Sequence, residues 1–221
     1  MTVTLAEEIM LLSLDDASGA AQEKQSASWA VAGGILLDLV LAGRVAVEGG
    51  RLRVTDPTPT GVPLLDERLR RIAEWAGRKS RVPKVTEWLT KDHPKAVRAT
   101  VDSLCGRGLV RAEQHKVLGL FPVTRYPEAD GSVERELRDR LRAMVLGGAR
   151  PDTRTAGLLA LVHGAKLHRV AFPEVPRKEI APRLEEIAAG QWASEDVRRA
   201  IRDMQAAMTV ILAATVVTMT G

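Results

Sequence analysis

Cysteine is almost missing from this 221-residue chain. Cys105 stands alone, which excludes a disulfide framework and a thiolate metal cage and fits a reducing cytoplasm. The first residues, "MTVTLAEEIMLLSLDDASG", carry acidic side chains around their apolar stretch and lack the basic start and small-residue cleavage site of an export signal. The chain is therefore expected to stay inside the cell. A bilayer-length run is also lacking in the middle of the chain: residues 29–42 give about fourteen residues, interrupted by Asp38 and two adjacent glycines, where a span needs roughly 20. The tail from Met204 to Gly221 is uncharged for longer, but Gln205 and four threonines dilute it and no lysine or arginine flanks its end. It is expected to be a buried core helix rather than an anchor.

Catalytic signatures are missing too. There is no G-x-S-x-G elbow, no P-loop and no G-x-G-x-x-G after a strand. His163 and His168 lie five apart, which turns them to different faces of one helix, whereas paired helical zinc ligands want a spacing of four. Cys105 falls at an apolar position of a helix end and is expected to be a buried structural thiol. The acidic pairs Asp15/Asp16 and Glu185/Glu186 sit in a loop and on a polar helix face, where nothing requires acid–base work. No cofactor and no metal is expected, and an enzyme with an unrecognised site is the weakest of the readings.

What is present is 45% apolar residues, enough to bury a full core. Helical periods dominate. Thr4 and Glu7 form a capping box before Ile9, Leu11, Leu12 and Leu14; a second helix spans about 26–43 and stops at Gly43. Gly49-Gly50 between "RVAVE" and "RLRV" predicts a hairpin over 44–54. Further helices are expected at 62–76, 83–91, 94–104 with Pro94 at its first position, 130–146, 152–167, 176–189 and 194–219, and a second hairpin at 109–123. Asp152 and Ser194 are the expected caps. The second helix is apolar nearly all round, so it belongs at the centre, and Gly33-Gly34 would admit a neighbouring helix closely. The fold class is mainly α: a single helical-bundle domain over 1–221 with peripheral amphipathic helices and one or two short β-hairpins.

The charge balance is mildly basic, 32 Lys and Arg against 28 Asp and Glu, which permits anionic partners without demanding them. Two stripes of cations recur at helical spacing. Lys91, Lys95 and Arg98 form one, divided by Pro94; Arg135, Arg138 and Arg142 form the other, with Arg140 beside it, and are candidates for contact with an anionic surface. The interleaved Glu134, Glu136 and Asp139 equally fit a solvated face. A rival reading follows from order: helix 83–91, a turn, helix 94–104 and hairpin 109–123 are the succession of a winged helix, with Lys95 and Arg98 near the start of the recognition helix and Arg111, Lys116 and Arg125 about the wing. Against nucleic acid, "ATVDSLC" offers few side chains suited to base edges.

The blocks "LAEEIMLLSLDDASG", "AGGILLDLVLAGRVAVEGGRLRV", "PTGVPLLDERL", "SLCGRGLV" and "TAGLLALVHGAKL" together resemble the Golgi phosphoprotein 3 family, in the shorter form found in bacteria. The resemblance implies a peripheral membrane protein of the cytoplasm. In eukaryotes the family binds phosphatidylinositol 4-phosphate and the cytoplasmic tails of Golgi glycosyltransferases, so an anionic phospholipid membrane surface and tails of membrane proteins are the implied partners. It implies a headgroup site built from a tryptophan before the second helix, an arginine early in that helix, and two basic residues three apart on the helix before "SLCGRGLV". The first two places fall near Glu23 and at Ala32, so both are changed here; the basic pair maps to Lys95 and Arg98. Trp29, a turn before Ala32, either supplies an aromatic surface to the site or belongs to the core. A weakened or altered anionic-lipid site is the expectation. A hairpin supports self-association in the eukaryotic proteins, so hairpin 45–54 is either an edge decoration or a contact for a second subunit.

Overall fold

The amino-terminal capping box forms as its spacing predicts: Thr4 Oγ1 accepts from the Glu7 N–H at 3.2 Å and the Glu7 carboxylate accepts from the Thr4 N–H at 2.7 Å. The computed structural model describes residues 3–15, 18–117, 121–129, 131–189 and 193–219. Its elements are α1 (Leu5–Ser13), α2 (Lys24–Leu41), β1 (Val45–Glu48), β2 (Arg51–Val54), α3 (Pro63–Gly77), α4 (Val85–Gly106), β3 (Glu113–Val117), β4 (Phe121–Arg125), α5 (Ser132–Val145), α6 (Thr153–Gly164), α7 (His168–Ala171), α8 (Arg177–Ala189) and α9 (Glu195–Met219). The architecture is mainly α, with two antiparallel hairpins.

The centre is α2, packed by α1, α4, α6 and α9. Its apolar residues run round the helix, and Leu36, Leu37 and Leu39 are fully buried, at about 2 kcal/mol each. Glycine sets how near its neighbours come. A Cβ on Gly34 would stand 2.9 Å from the Ala6 backbone nitrogen, and one on Gly157 would stand 2.6 Å from Leu37 Cδ2. Thus α1 and α6 approach α2 across positions that only glycine leaves open.

Two expected helices are one. Pro94 lies inside α4 instead of starting a new helix. An interior proline costs about 3 kcal/mol by removing a hydrogen bond and crowding the preceding turn. A buried stripe on both sides of it, Val85, Trp88, Leu89, Ala96, Val101 and Leu104, offsets that cost. The turn of a helix-turn-helix is therefore absent, and β3 begins only at Glu113, so the winged-helix order does not survive.

The opposite correction applies after α6. Asp152 caps this helix as expected, accepting from the Arg154 and Thr155 N–H groups at 2.9 Å. It ends at Gly164 rather than 167, and Lys166 takes a left-handed φ of 60° before α7 starts. In α9, Ala200, Ile201, Met204, Ala207 and Met208 are buried. Farther along, Ile211 packs partly buried against the core, while Val210 is 63% exposed and Ala213 is exposed. The last two residues of that predicted core helix, 220–221, lie outside the described residues. Among the described residues, no helix is long and apolar enough to cross a membrane.

Hairpin 45–54 is anchored. Gly49 and Gly50, at φ of 56° and 69°, make its turn, and Val45, Val47 and Leu52 point into the chain's own core. The Gly50 N–H donates to Asp203 of α9 at 3.0 Å. The outer edge of β2 is taken by residues 83–85: the Leu52 N–H donates to the Pro83 carbonyl at 2.9 Å and the Val85 N–H to the Gly50 carbonyl at 2.8 Å. Its outward side chains are Glu48, Arg51 and Arg53.

Candidate functional site

Trp29 is a core residue, 5% exposed. Its ring packs on His93 of α4, with centroids 3.8 Å apart, and Ser28 Oγ lies 3.0 Å from His93 Nδ1. Burial lowers the pKa of His93, favouring a neutral imidazole. The tryptophan thus fixes α2 to α4 and offers no open aromatic face.

Lys95 and Arg98 are not beside it. Helical geometry turns about 100° per residue, so Lys95 sits roughly 200° and Arg98 roughly 140° round α4 from His93. Both cations are exposed, and the Arg98 side chain is 87% so. Its Nε stands 4.0 Å from Asp102, an exposed pair worth little. The Lys95 backbone carbonyl accepts from buried Arg68 at 3.0 Å; the same guanidinium pairs with Asp92 at 2.9 Å. Lys91, one turn before Lys95, places Nζ 5.8 Å from the Trp75 ring centroid. The structure therefore separates the three expected headgroup residues into a core anchor and two solvated cations on the outer face of α4.

Arg138 and Arg142 of the second stripe, and Arg140 beside it, make internal contacts. Arg138 is half-buried, donating to Glu134 at 2.6 Å and to the Val170 carbonyl at 2.8 Å. Arg142 pairs with Glu174 at 2.8 Å, and Arg140 reaches Glu8 of α1 at 2.7 Å. Arg135 is exposed. These arginines tie α5 to α1 and to the segment around α7, which explains the helical spacing without an external anion.

A third cluster had no signal in spacing. Glu7 accepts from Ser103 at 2.8 Å and from Arg107 at 2.7 Å. Asp38 accepts from the Leu5 N–H at 2.7 Å and pairs with Arg154, which also donates to the Val3 carbonyl at 2.6 Å. Burial pushes the Asp38 carboxyl up to about 6, opposed by the Arg154 charge. The partners are separated by up to 151 residues in sequence, so no local pattern announces them. The cluster is structural: it holds the start of α1 on α2 and α6.

His163 and His168 meet rather than diverge, Nε2 of His168 lying 3.2 Å from Nδ1 of His163, because the chain bends between them at Lys166. Burial, then the neighbouring His163, brings the pKa of His168 down to about 4. Among the described residues no group of three or more His, Cys, Asp or Glu can hold a metal. Cys105 is only half-buried, against the expectation of full burial, and burial with nearby Asp102 raises its pKa. Its thiol is thus not an activated nucleophile.

The order of α1, α2, hairpin, α3 and α4 is the order of the blocks that carry the resemblance. The family model of Golgi phosphoprotein 3 (GPP34) matches residues 5–204. Among curated proteins, the vacuolar protein sorting-associated protein 74 of Eremothecium gossypii is 27% identical over 204 residues, covering 75% of this chain. The chain spans 60% of that relative's length. A match from the first turn of α1 into the buried part of α9 takes in most of the described core, and the chain belongs to the Golgi phosphoprotein 3 family.

Proposed function

We propose that this protein is a peripheral membrane adaptor: a non-enzymatic binding protein, a short bacterial member of its family, that attaches to anionic phospholipid headgroups from the cytoplasmic side and recruits tails of membrane proteins. The observation that carries the reading is the family match across residues 5–204. The name of the similar vacuolar protein sorting-associated protein 74 ties that relative to protein sorting, which fits an adaptor reading here. The surface adds a physical reason: Lys91, Lys95 and Arg98 are solvated cations on one helix face, positioned to meet phosphates without breaking a buried contact.

With Trp29 in the core and Ala32 where the family carries an arginine, recognition of one particular phosphoinositide is expected to be weak. Losing one charge-assisted contact, about 1.5–3 kcal/mol, lowers specific affinity tenfold or more. General attraction to anionic lipid, at about 1 kcal/mol per basic residue near the surface, persists. Vesicle sedimentation at low salt tests this. More protein should pellet with phosphatidylglycerol-containing vesicles than with phosphatidylcholine vesicles, and added phosphatidylinositol 4-phosphate should improve binding no more than equal charge does. Equal sedimentation with neutral and anionic vesicles would contradict the proposal.

A further inference from the structure

The densest positive charge on the molecule lies away from both cation stripes. Residues 78–84, "RKSRVPK", join α3 to α4 and hold Arg78, Lys79, Arg81 and Lys84 without a carboxylate. All four are exposed. Arg51 and Arg53 stand beside them on β2. Among the described residues, the ion pairs of these six cations are with Glu48 and Glu87, which leaves an excess equal to the net charge of +4 carried by the entire chain. A local excess of this size draws anionic surfaces toward this end of the molecule.

The patch is concave. Between β2, the end of α3 and the 79–83 segment lies a cleft of about 410 Å³, with Arg53, Lys79 and Arg81 among its lining and Leu52, Ala73 and Ala76 on its apolar side. A smaller depression of about 200 Å³ continues it past Arg53 and Val82 to Arg51. Val82 protrudes from the rim, 45% exposed among the cations. The base is held: Arg51 donates to the Val82 carbonyl at 2.7 Å, and the Leu52–Pro83 and Gly50–Val85 backbone hydrogen bonds flank it. The cations' present partners are replaceable. Lys79 and Arg81 share Glu87 at 3.0 and 3.9 Å, and Arg53 meets Glu48 at 3.3 Å. All are exposed pairs, which contribute little and yield to a better anion. Lys79 of the cleft and Lys91 of α4 both lie over the Trp75 ring, at 5.3 and 5.8 Å.

We propose that this cleft is the principal docking site for anionic lipid headgroups presented by a membrane, with Arg53, Lys79 and Arg81 gripping a phosphate and Val82 dipping into the interface. The inference rests on the anionic-lipid reading and locates it. The apolar side and the protruding valine favour lipid over a fully hydrated anion, and a cleft of this size admits a headgroup but no duplex.

The test uses the full chain and vesicles of phosphatidylcholine with or without phosphatidylglycerol, at low salt. Replacing Arg53, Lys79 and Arg81 together by serine should lower partition onto the anionic vesicles roughly a hundredfold, and replacing Lys95 and Arg98 by serine a smaller thirtyfold. Val82→Ser should weaken binding severalfold while leaving every charge in place. Unchanged circular dichroism and melting are required of each variant; the Val82→Ser chain serves if the triple variant misfolds. Wild-type binding to anionic vesicles that survives the triple replacement but is lost with K95S/R98S would overturn the cleft and leave the adaptor reading standing. No preference for anionic vesicles would overturn both. Full displacement of vesicles by millimolar inorganic phosphate would assign the cleft to a soluble anion. Tighter binding of duplex DNA, abolished by the same triple replacement, would assign it to nucleic acid; either result overturns the lipid docking site.

Discussion

Arg154 and Arg81 are the same side chain put to opposite uses. At the junction of α1, α2 and α6, Arg154 serves Asp38, Glu8 and the Val3 carbonyl. At the α3–α4 connection, Arg81 is 70% exposed and, among the described residues, pairs with a shared Glu87 at 3.9 Å. The first guanidinium neutralises carboxylates already taken out of water, so its removal leaves Asp38 buried without its cation and Glu8 with Arg140. The second has little to lose inside the protein and remains free to meet something outside it. Helical spacing does not distinguish the two situations, and the Arg135/Arg138/Arg142 stripe shows why: Arg138 has the spacing of a surface cation but the contacts of a structural one.

The comparison breaks most sharply at Arg154. Arg154→Met should cost about 3 kcal/mol, because Asp38 remains buried without its cation, whereas Arg81→Met should cost under about 0.5 kcal/mol; urea unfolding of both variants reads the difference. Next is pH. The folded-state pKa of Asp38 is raised to about 6 from 3.8, so between those values the native state holds the proton more tightly than the unfolded chain. The stability this contributes is present at low pH and is lost as pH rises through 6. Asp38→Asn should accordingly gain about 2 kcal/mol relative to the parent protein between pH 4 and 7, measured by denaturation at each pH; a constant difference would contradict the burial argument. Gly34→Ala should destabilise by about 1–2 kcal/mol through its clash with the Ala6 backbone, sharpening the claim that α1 is fixed by close packing as well as by charge. The smallest effect is expected on α3, where Glu67 pairs with Arg70 and Arg71 in the open. Glu67→Gln should change the melting temperature by no more than a degree or two.

Local features were the legible ones. The Thr4–Glu7 box, the Gly49-Gly50 turn, the Asp152 cap and the apolar girth of α2 are set by neighbours within a few residues, where sterics and hydrogen bonding leave few choices. Pro94 misled because its penalty is local while the burial that overrides it spans all of α4. His163 and His168 misled because one left-handed residue, Lys166, redirects the chain between them. Of the candidate site, the exposure of Lys95 and Arg98 was legible from helical spacing, and the burial of Trp29 was one of two open readings. The internal capture of Arg138 and Arg140 was not legible, since Val170 and Glu8 lie 32 and 132 residues away. The 78–84 basic run has no helical spacing and was not singled out from the sequence, and its concavity arises only when β2 closes against it.

Most direct is sedimentation of the intact chain with anionic and neutral vesicles across a salt series. Solvated cations acting on lipid phosphates predict selective binding to the anionic vesicles that falls steeply as salt shortens the screening length from about 30 Å at 0.01 M to about 8 Å at 0.15 M. Binding indifferent to both lipid charge and salt would contradict it.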